Sequence, residues 1–346
     1  MAVEVDIFNP QVSVVAKDLD GKVIFCYGNN GTGKSLNASK APKCFFLACE
    51  SGLNGLSGVK YNRIGNWADF KKIVRQFTDK RTVDKAKELY QTIVIDEVYA
   101  SSIFCQDYIC QRMGITSFGE NENSKVNAWQ EYEKEYWREI NKLVNSGFTV
   151  IFIGHAEEKD GYTRPKGDKR CLNPIIDNCD IVVYLKGNGT DENGNEILST
   201  GYFIGTNEFF ARSRYTKMVP YINPYSMGGM IKAINDAIDA EEKESGVQAV
   251  SFEEQKEKNT NVRKSYEELM NEVNEIGLKY IFAVDPDYGS ANRTPEEQEK
   301  GIKALQRISD KVLGLGKDIR KMEPGQEEVI EVWIMAVEDA IATLEE

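Results

Sequence analysis

Eight consecutive residues, Gly28-Asn29-Asn30-Gly31-Thr32-Gly33-Lys34-Ser35, constrain this chain more than anything else in its 346 residues. They fit GxxxxGK[ST] at every fixed position, after an apolar run at 22–27 (KVIFCY) and before a helix-forming stretch at 34–41. Strand, glycine-rich loop and helix in that order make a phosphate cradle. The glycines let backbone N–H groups turn inward, and the positive end of the helix faces the anion. Gly28 to Ser35, with Leu36 following, are therefore the candidate nucleotide-binding residues. Lys34 is expected to reach the β- and γ-phosphates and the Ser35 hydroxyl to bind Mg²⁺, with ATP as the nucleotide.

The second half of such a site is an apolar strand that delivers a carboxylate at its C-terminal end, where α/β sheets bind ligands. Thr92-Ile93-Val94-Ile95-Asp96-Glu97 has that form, with Asp96 placed to hold Mg²⁺ through water. Further near-continuous apolar runs lie at 44–49, 149–154 and 181–185, with another strand candidate at 201–206. Runs of this kind are read as parallel strands covered on both faces. Helical segments at 67–77, 83–90 and 126–146 alternate with them, which predicts a doubly wound α/β fold with a mostly parallel sheet over residues 1–235. The aromatics at 128–137 have helical spacing and are read as packing.

Charge divides the chain. Residues 1–235 hold 29 Lys+Arg against 28 Asp+Glu, whereas residues 236–346 hold 14 against 27, so the net charge of −12 belongs to the last third. An acidic total therefore does not exclude a nucleic-acid partner for the first two thirds. Residues 236–264 read as a charged linker or helix, and 265–346 as an acidic helical module. That module is expected to solubilise or dock a partner, or to compete with DNA for a basic loop. Seven cysteines with no CxxC spacing and a single histidine, His155, point away from structural zinc and toward a reducing, cytoplasmic compartment. No run is long and apolar enough for a membrane span, and nothing at the N-terminus suggests export.

Hydrolysis needs a carboxylate to orient and deprotonate water. Glu97 beside Asp96 is one candidate. Glu50 is the other: it ends the run CFFLACE on a strand expected directly beside the phosphate-loop strand, and a loop follows it. A second constellation lies at 159–170, where Lys159, Arg164, Lys166, Lys169 and Arg170 accompany Tyr162, Gly161 and Pro165. Glycine and proline predict a loop there. Cations with an aromatic suit a single-stranded backbone plus base stacking, and a solvated surface loop is the alternative. Arg212 and Arg214 alternate along an apparent strand and so should share a face.

From residue 21 to about 220 the order of GNNGTGKS, FFLACE, TIVIDE, VIFIGH, the basic stretch, CDIVVYL and ARSR resembles the RecA/RadA recombinase core. It looks most like the phage Sak-type RecA-like ATP-binding proteins that belong with single-strand annealing proteins. The resemblance implies a RecA-like P-loop NTPase core, extended here by the acidic helical region, and a DNA-stimulated ATPase active in recombination in the host cytoplasm. It favours Glu50 as the catalytic base. His155 would sense the γ-phosphate and lead into a DNA-binding loop, although Gln is the family's usual residue there. Arg212 and Arg214 would act as fingers on a neighbour's ATP. The implied partners are single-stranded DNA, further copies in a ring or filament, and a single-strand-binding protein. Another DNA-linked motor (a helicase or loader, with Glu97 as base) and a nucleotide-binding annealing scaffold with little hydrolysis are the alternatives.

Overall fold

A computed structural model describes residues 7–8, 10, 12–121, 126–258, 263–291 and 293–345. The chain opens with β1 (Val23–Gly28), α1 (Lys34–Ala38), β2 (Cys44–Ala48), β3 (Tyr61–Arg63), α2 (Trp67–Thr78) and α3 (Val83–Leu89). It continues through β4 (Thr92–Asp96), α4 (Val98–Met113), α5 (Ala128–Val144), β5 (Thr149–Lys159), β6 (Tyr162–Pro165) and α6 (Lys169–Asn178). Then come β7 (Ile181–Lys186), β8 (Thr200–Tyr202), β9 (Arg212–Ser213), β10 (Tyr221–Ile222), α7 (Met227–Ser245) and α8 (Phe252–Lys258). The last elements are α9 (Tyr266–Val284), α10 (Pro295–Gln298), α11 (Lys300–Leu313) and α12 (Glu327–Glu345).

Among the described residues one sheet runs β10-β8-β7-β1-β5-β4-β2-β3, with β6 on β5 and β9 on β7. The stretch from β7 to β3 is parallel, and β6, β8, β9 and β10 pair antiparallel. The fold is thus α/β with a mostly parallel sheet. Alternation along β1 shows why its run had to be apolar throughout. Val23, Phe25 and Tyr27 enter a core with α2, α4, α5 and α6, while Ile24 and Cys26 enter the opposite one with α1 and α7. Tyr132 and Tyr136 of α5 are buried and stack toward Trp67, so the aromatic spacing of α5 serves packing.

One expectation fails in this sheet. β2, which precedes Glu50, is not beside β1: it pairs with β4 and β3, leaving β5 and β4 between it and the phosphate-loop strand. Parallel strands need long crossovers, and the crossover inserted here is wide enough for later strands to take the inner places.

The boundary expected near residue 235 falls inside α7, whose Met230, Ile234 and Ile238 are buried in the second of these cores. One compact unit spans Gln11–Lys258, and a second comprises Asn259–Glu346 with Met1–Pro10. Of the linker expected at 236–264, residues 259–262 lie outside the described residues. The second unit packs α9, α11 and α12 around Leu269, Val273, Ile330, Trp333 and Val337. Its indole Nε1 of Trp333 donates to Ser309 Oγ at 2.9 Å in a buried setting. Ser309→Ala leaves that donor unpaired and is expected to cost this unit about 1–3 kcal/mol by chemical denaturation. No helix among the described residues is long and apolar enough to cross a membrane.

Candidate nucleotide-binding site

β1 ends at Gly28 and α1 begins at Lys34, so the loop between them stands at the C-terminal edge of the sheet. Gly31 and Gly33 have φ of 80° and 76°, a left-handed conformation that glycine adopts without penalty. Gly28 is held by proximity instead, since a Cβ there would lie 2.4 Å from the Leu185 carbonyl oxygen of β7. The cleft beside this loop holds about 270 Å³ and is lined by Asn30, Gly31, Lys34, Ser35, Leu36, Glu50, Asp96 and His155 among others. It thus brings together residues of the loop, of β4 and of β5 with the end of the run through β2. Asn29 and Thr32 close the loop, with Thr32 Oγ1 donating to the Asn29 carbonyl at 2.8 Å.

Lys34 is buried and its Nζ donates to the carbonyls of Gly28 (2.9 Å) and Asn29 (2.8 Å). Burial pulls its ammonium below the ordinary value, against the charges of Asp96, Glu50 and Glu97. A desolvated ammonium of this kind gains more from a polyphosphate than an exposed one does. Ser35 Oγ donates to Asp96 Oδ2 at 2.7 Å. Burial raises the Asp96 carboxyl, and the Ser35 bond opposes that shift. A hydroxyl and a carboxylate in contact form an all-oxygen donor pair, which fits a hard divalent cation such as Mg²⁺.

The two candidate bases are in different circumstances. Glu97 is buried, and its carboxylate accepts from Tyr99 N (3.2 Å) and Ala100 N (2.9 Å), capping α4. Burial raises its carboxyl. The Glu50 side chain is 38% exposed, and its Oε1 lies 3.3 Å from His155 Nε2. One ligand atom from each of Glu50, Glu97 and His155 falls within 4.8 Å of the other two.

His155 pairs with Gly28 in the β1–β5 register, which puts the sheet's single histidine beside the phosphate loop. Beyond it the expected loop at 159–170 is largely a β-hairpin. β5 continues to Lys159 and returns as β6, with register Ala156 to Pro165 and Lys159 to Tyr162. Asp160 and Gly161 both have positive φ (55° and 74°), the requirement of a two-residue type I′ turn. Proline is tolerated because Pro165 is the last residue of β6. Arg164 Nε meets Glu157 Oε1 across the hairpin at 2.8 Å, and Thr163 bonds the backbone of Glu208 and Phe210 on the other side. Lys166 N donates to the His155 carbonyl at 2.8 Å. Lys169 and Arg170 open α6, and Arg170 lies over the Trp129 ring, 4.5 Å from its centroid.

Arg212 and Arg214 do share a direction, but it is away from this cleft. Arg212 pairs with Val182 on β7, whereas Gly28 pairs with Leu185, three residues or about 10 Å further along. Both guanidinium groups donate to the Asp177 carbonyl at the end of α6, Arg212 also to that of Cys179, and Arg214 lies 3.6 Å from Asp180 Oδ1. Cations at a helix C-terminus satisfy its last carbonyls and its dipole. Sequence reasoning missed α4 and the whole hairpin; the Asp-Gly dipeptide was the signal that could have found the second.

The sequence profile of the AAA domain matches residues 20–215. YorG, an SPbeta prophage-derived protein of Bacillus subtilis (strain 168), is 40% identical over 339 residues, which cover 98% of this chain and 99% of that protein. Among solved structures, the RadB recombinase is similar at a TM-score of 0.35 and 11% identity, over 61% of this chain and 90% of RadB.

Proposed function

This chain belongs to the AAA-domain family of P-loop proteins, and we propose that it is an ATP-hydrolysing recombination protein of phage type that acts on single-stranded DNA in the cytoplasm. One observation carries the reading. A single strand, β5, passes the phosphate loop at His155 and runs on into the hairpin that bears Lys159, Tyr162 and Arg164. The group assigned to the γ-phosphate, His155, is then in the same strand as the hairpin, and it is also tied to Lys166 through its carbonyl. ATP is then expected to strengthen DNA binding. Fluorescence anisotropy with a labelled single strand should show tighter binding with a non-hydrolysable ATP analogue than with ADP or no nucleotide. Equal affinities in the three states would remove the coupling.

Within the site, Glu50 is assigned as the base and His155 as the group that positions it. Water attacks the γ-phosphorus, its proton passes to the Glu50 carboxylate, and the bond to the β,γ-bridging oxygen breaks to leave ADP and phosphate. Lys34 holds the β- and γ-phosphates. Mg²⁺, held by Ser35 and by Asp96 through water, would supply compensation for phosphate charge. Glu97 is assigned to capping α4, since both its oxygens are engaged by backbone N–H groups.

Arg212 and Arg214 sit at the end of the sheet opposite their own phosphate loop, so the finger role assigned to them would be toward a neighbour's nucleotide in a head-to-tail assembly. Mixing the Glu50→Gln chain with an Arg212→Ala/Arg214→Ala chain tests this. Roughly a quarter of random interfaces would then combine an intact base with intact arginines, and ATPase activity should reappear in proportion. A mixture as inactive as its components would leave the arginines as α6 caps alone.

A further inference from the structure

Strands β5, β4 and β2 lie side by side, and their pairing sets Ile153, Asp96 and Ala48 in one row. The chain delivers one ligating side chain just past that row on each strand: His155, Glu97 and Glu50. One atom from each of the three falls within 4.8 Å of the other two, the one such group of metal-binding side chains among the described residues. Two carboxylates and an imidazole from three separate segments make a mixed oxygen and nitrogen donor set.

The spacing suits a metal ion. Ligands about 2.0–2.1 Å from a tetrahedral ion stand about 3.3–3.4 Å from one another. His155 Nε2 lies 3.3 Å from Glu50 Oε1. Glu97 is already aimed, since its two oxygens accept from Tyr99 N and Ala100 N, and a carboxylate oxygen has a further lone pair. Outer hydrogen bonds of this kind fix the direction of a ligating carboxylate. Charge argues the same way. Glu50, Asp96 and Glu97 all act on Lys34, the lysine of the cleft, whose Nζ is held by the carbonyls of Gly28 and Asn29. Three carboxylates against one ammonium leave an anionic surplus that a dication removes.

Donor chemistry separates this set from the Mg²⁺ pair. Ser35 and Asp96 offer oxygen alone and are bonded to each other at 2.7 Å. An imidazole nitrogen turns preference from Mg²⁺ toward divalent transition metals. We propose that Glu50, Glu97 and His155 form a second cation site, taking a divalent transition metal such as Mn²⁺ or Zn²⁺, and that filling it switches hydrolysis off. The metal would engage the carboxylate oxygen with which Glu50 takes the proton of water, while the phosphate loop and Lys34 stay free to hold MgATP. The switch rests on the assignment of Glu50 as the base; the site does not.

The chain's single histidine makes the test specific. Mn²⁺ bound to an imidazole shows nitrogen coupling in pulsed electron paramagnetic resonance, and in the untagged full chain the imidazole can only be that of His155. Without nucleotide, the unaltered protein should show this coupling and His155→Gln should lose it. Mn²⁺ affinity should fall at least about tenfold in Glu50→Gln and in Glu97→Gln. Ser35→Ala, outside the cluster, should keep the coupling. With saturating MgATP, filling the site with Mn²⁺ should slow phosphate release at least about tenfold while nucleotide stays bound. Mn²⁺ that does not bind, or binds without nitrogen coupling, overturns the site and leaves the assignment of Glu50 standing. Coupling with undiminished hydrolysis keeps the site and overturns the switch, and with it Glu50 as the base.

Discussion

Glu50→Gln is expected to bind ATP like the unaltered chain and to hydrolyse it about 10²–10⁴-fold more slowly, the range a positioned general base contributes. The substitution keeps the shape of the side chain and removes only its ability to take a proton. Two observations favour Glu50. Its carboxylate is open to the cleft where water can reach it, and its Oε1 lies 3.3 Å from the ring nitrogen of His155. Glu97 lacks this freedom, because turning either oxygen toward water would abandon an N–H at the start of α4. Glu97→Gln retains one capping acceptor, so it should cost about 1 kcal/mol of stability and less than tenfold in rate. Single-turnover phosphate release with nucleotide binding measured in parallel separates the two. Full activity in Glu50→Gln with loss in Glu97→Gln would exchange their roles.

The contrast between these glutamates shows how far the sequence could be read. The phosphate loop was legible because its chemistry is local: the run before it, the glycines and Lys34-Ser35 all act within one strand–loop–helix unit. Asp96 was legible for the same reason, and the apolar runs foretold a parallel sheet covered on both faces. What failed was non-local or depended on a turn. Strand order is set by which crossovers pack together, so nothing in CFFLACE itself says that two strands separate it from β1. The hairpin was hidden by Gly161 and Pro165, which suggest a loop by composition while Asp160-Gly161 makes a tight turn by conformation. The pairing of Arg212 and Arg214 was read correctly from period two, but their partner, the end of α6, lies more than thirty residues away. α4 went unread because its apolar residues are spread around the helix, with no single stripe to give the period away.

Replacing Lys34 by alanine is expected to abolish nucleotide binding at the loop and to lower hydrolysis by a further loss of about 10²–10³ in transition-state stabilisation. Lys34 is the lysine that lines the cleft, and its ammonium donates to the carbonyls of Gly28 and Asn29. Burial disfavours that charge, as its lowered pKa states, so the folded protein holds an ammonium it would be easier to lose. Polyphosphate reverses the balance by setting anionic oxygens against an ammonium whose partners in the loop are neutral carbonyls. Alanine removes both the strain and the attraction. The nucleotide-free protein should therefore melt within a few degrees of the unaltered chain. The response to ligand should differ completely. At about 100 times its dissociation constant, MgATP stabilises the unaltered protein by about 2.7 kcal/mol, or roughly 5–10 °C for a unit of this size. Lys34→Ala should show no such shift. A variant that keeps the full shift but does not hydrolyse ATP would mean that Lys34 acts on the transition state alone and that the glycine backbone suffices to hold the nucleotide.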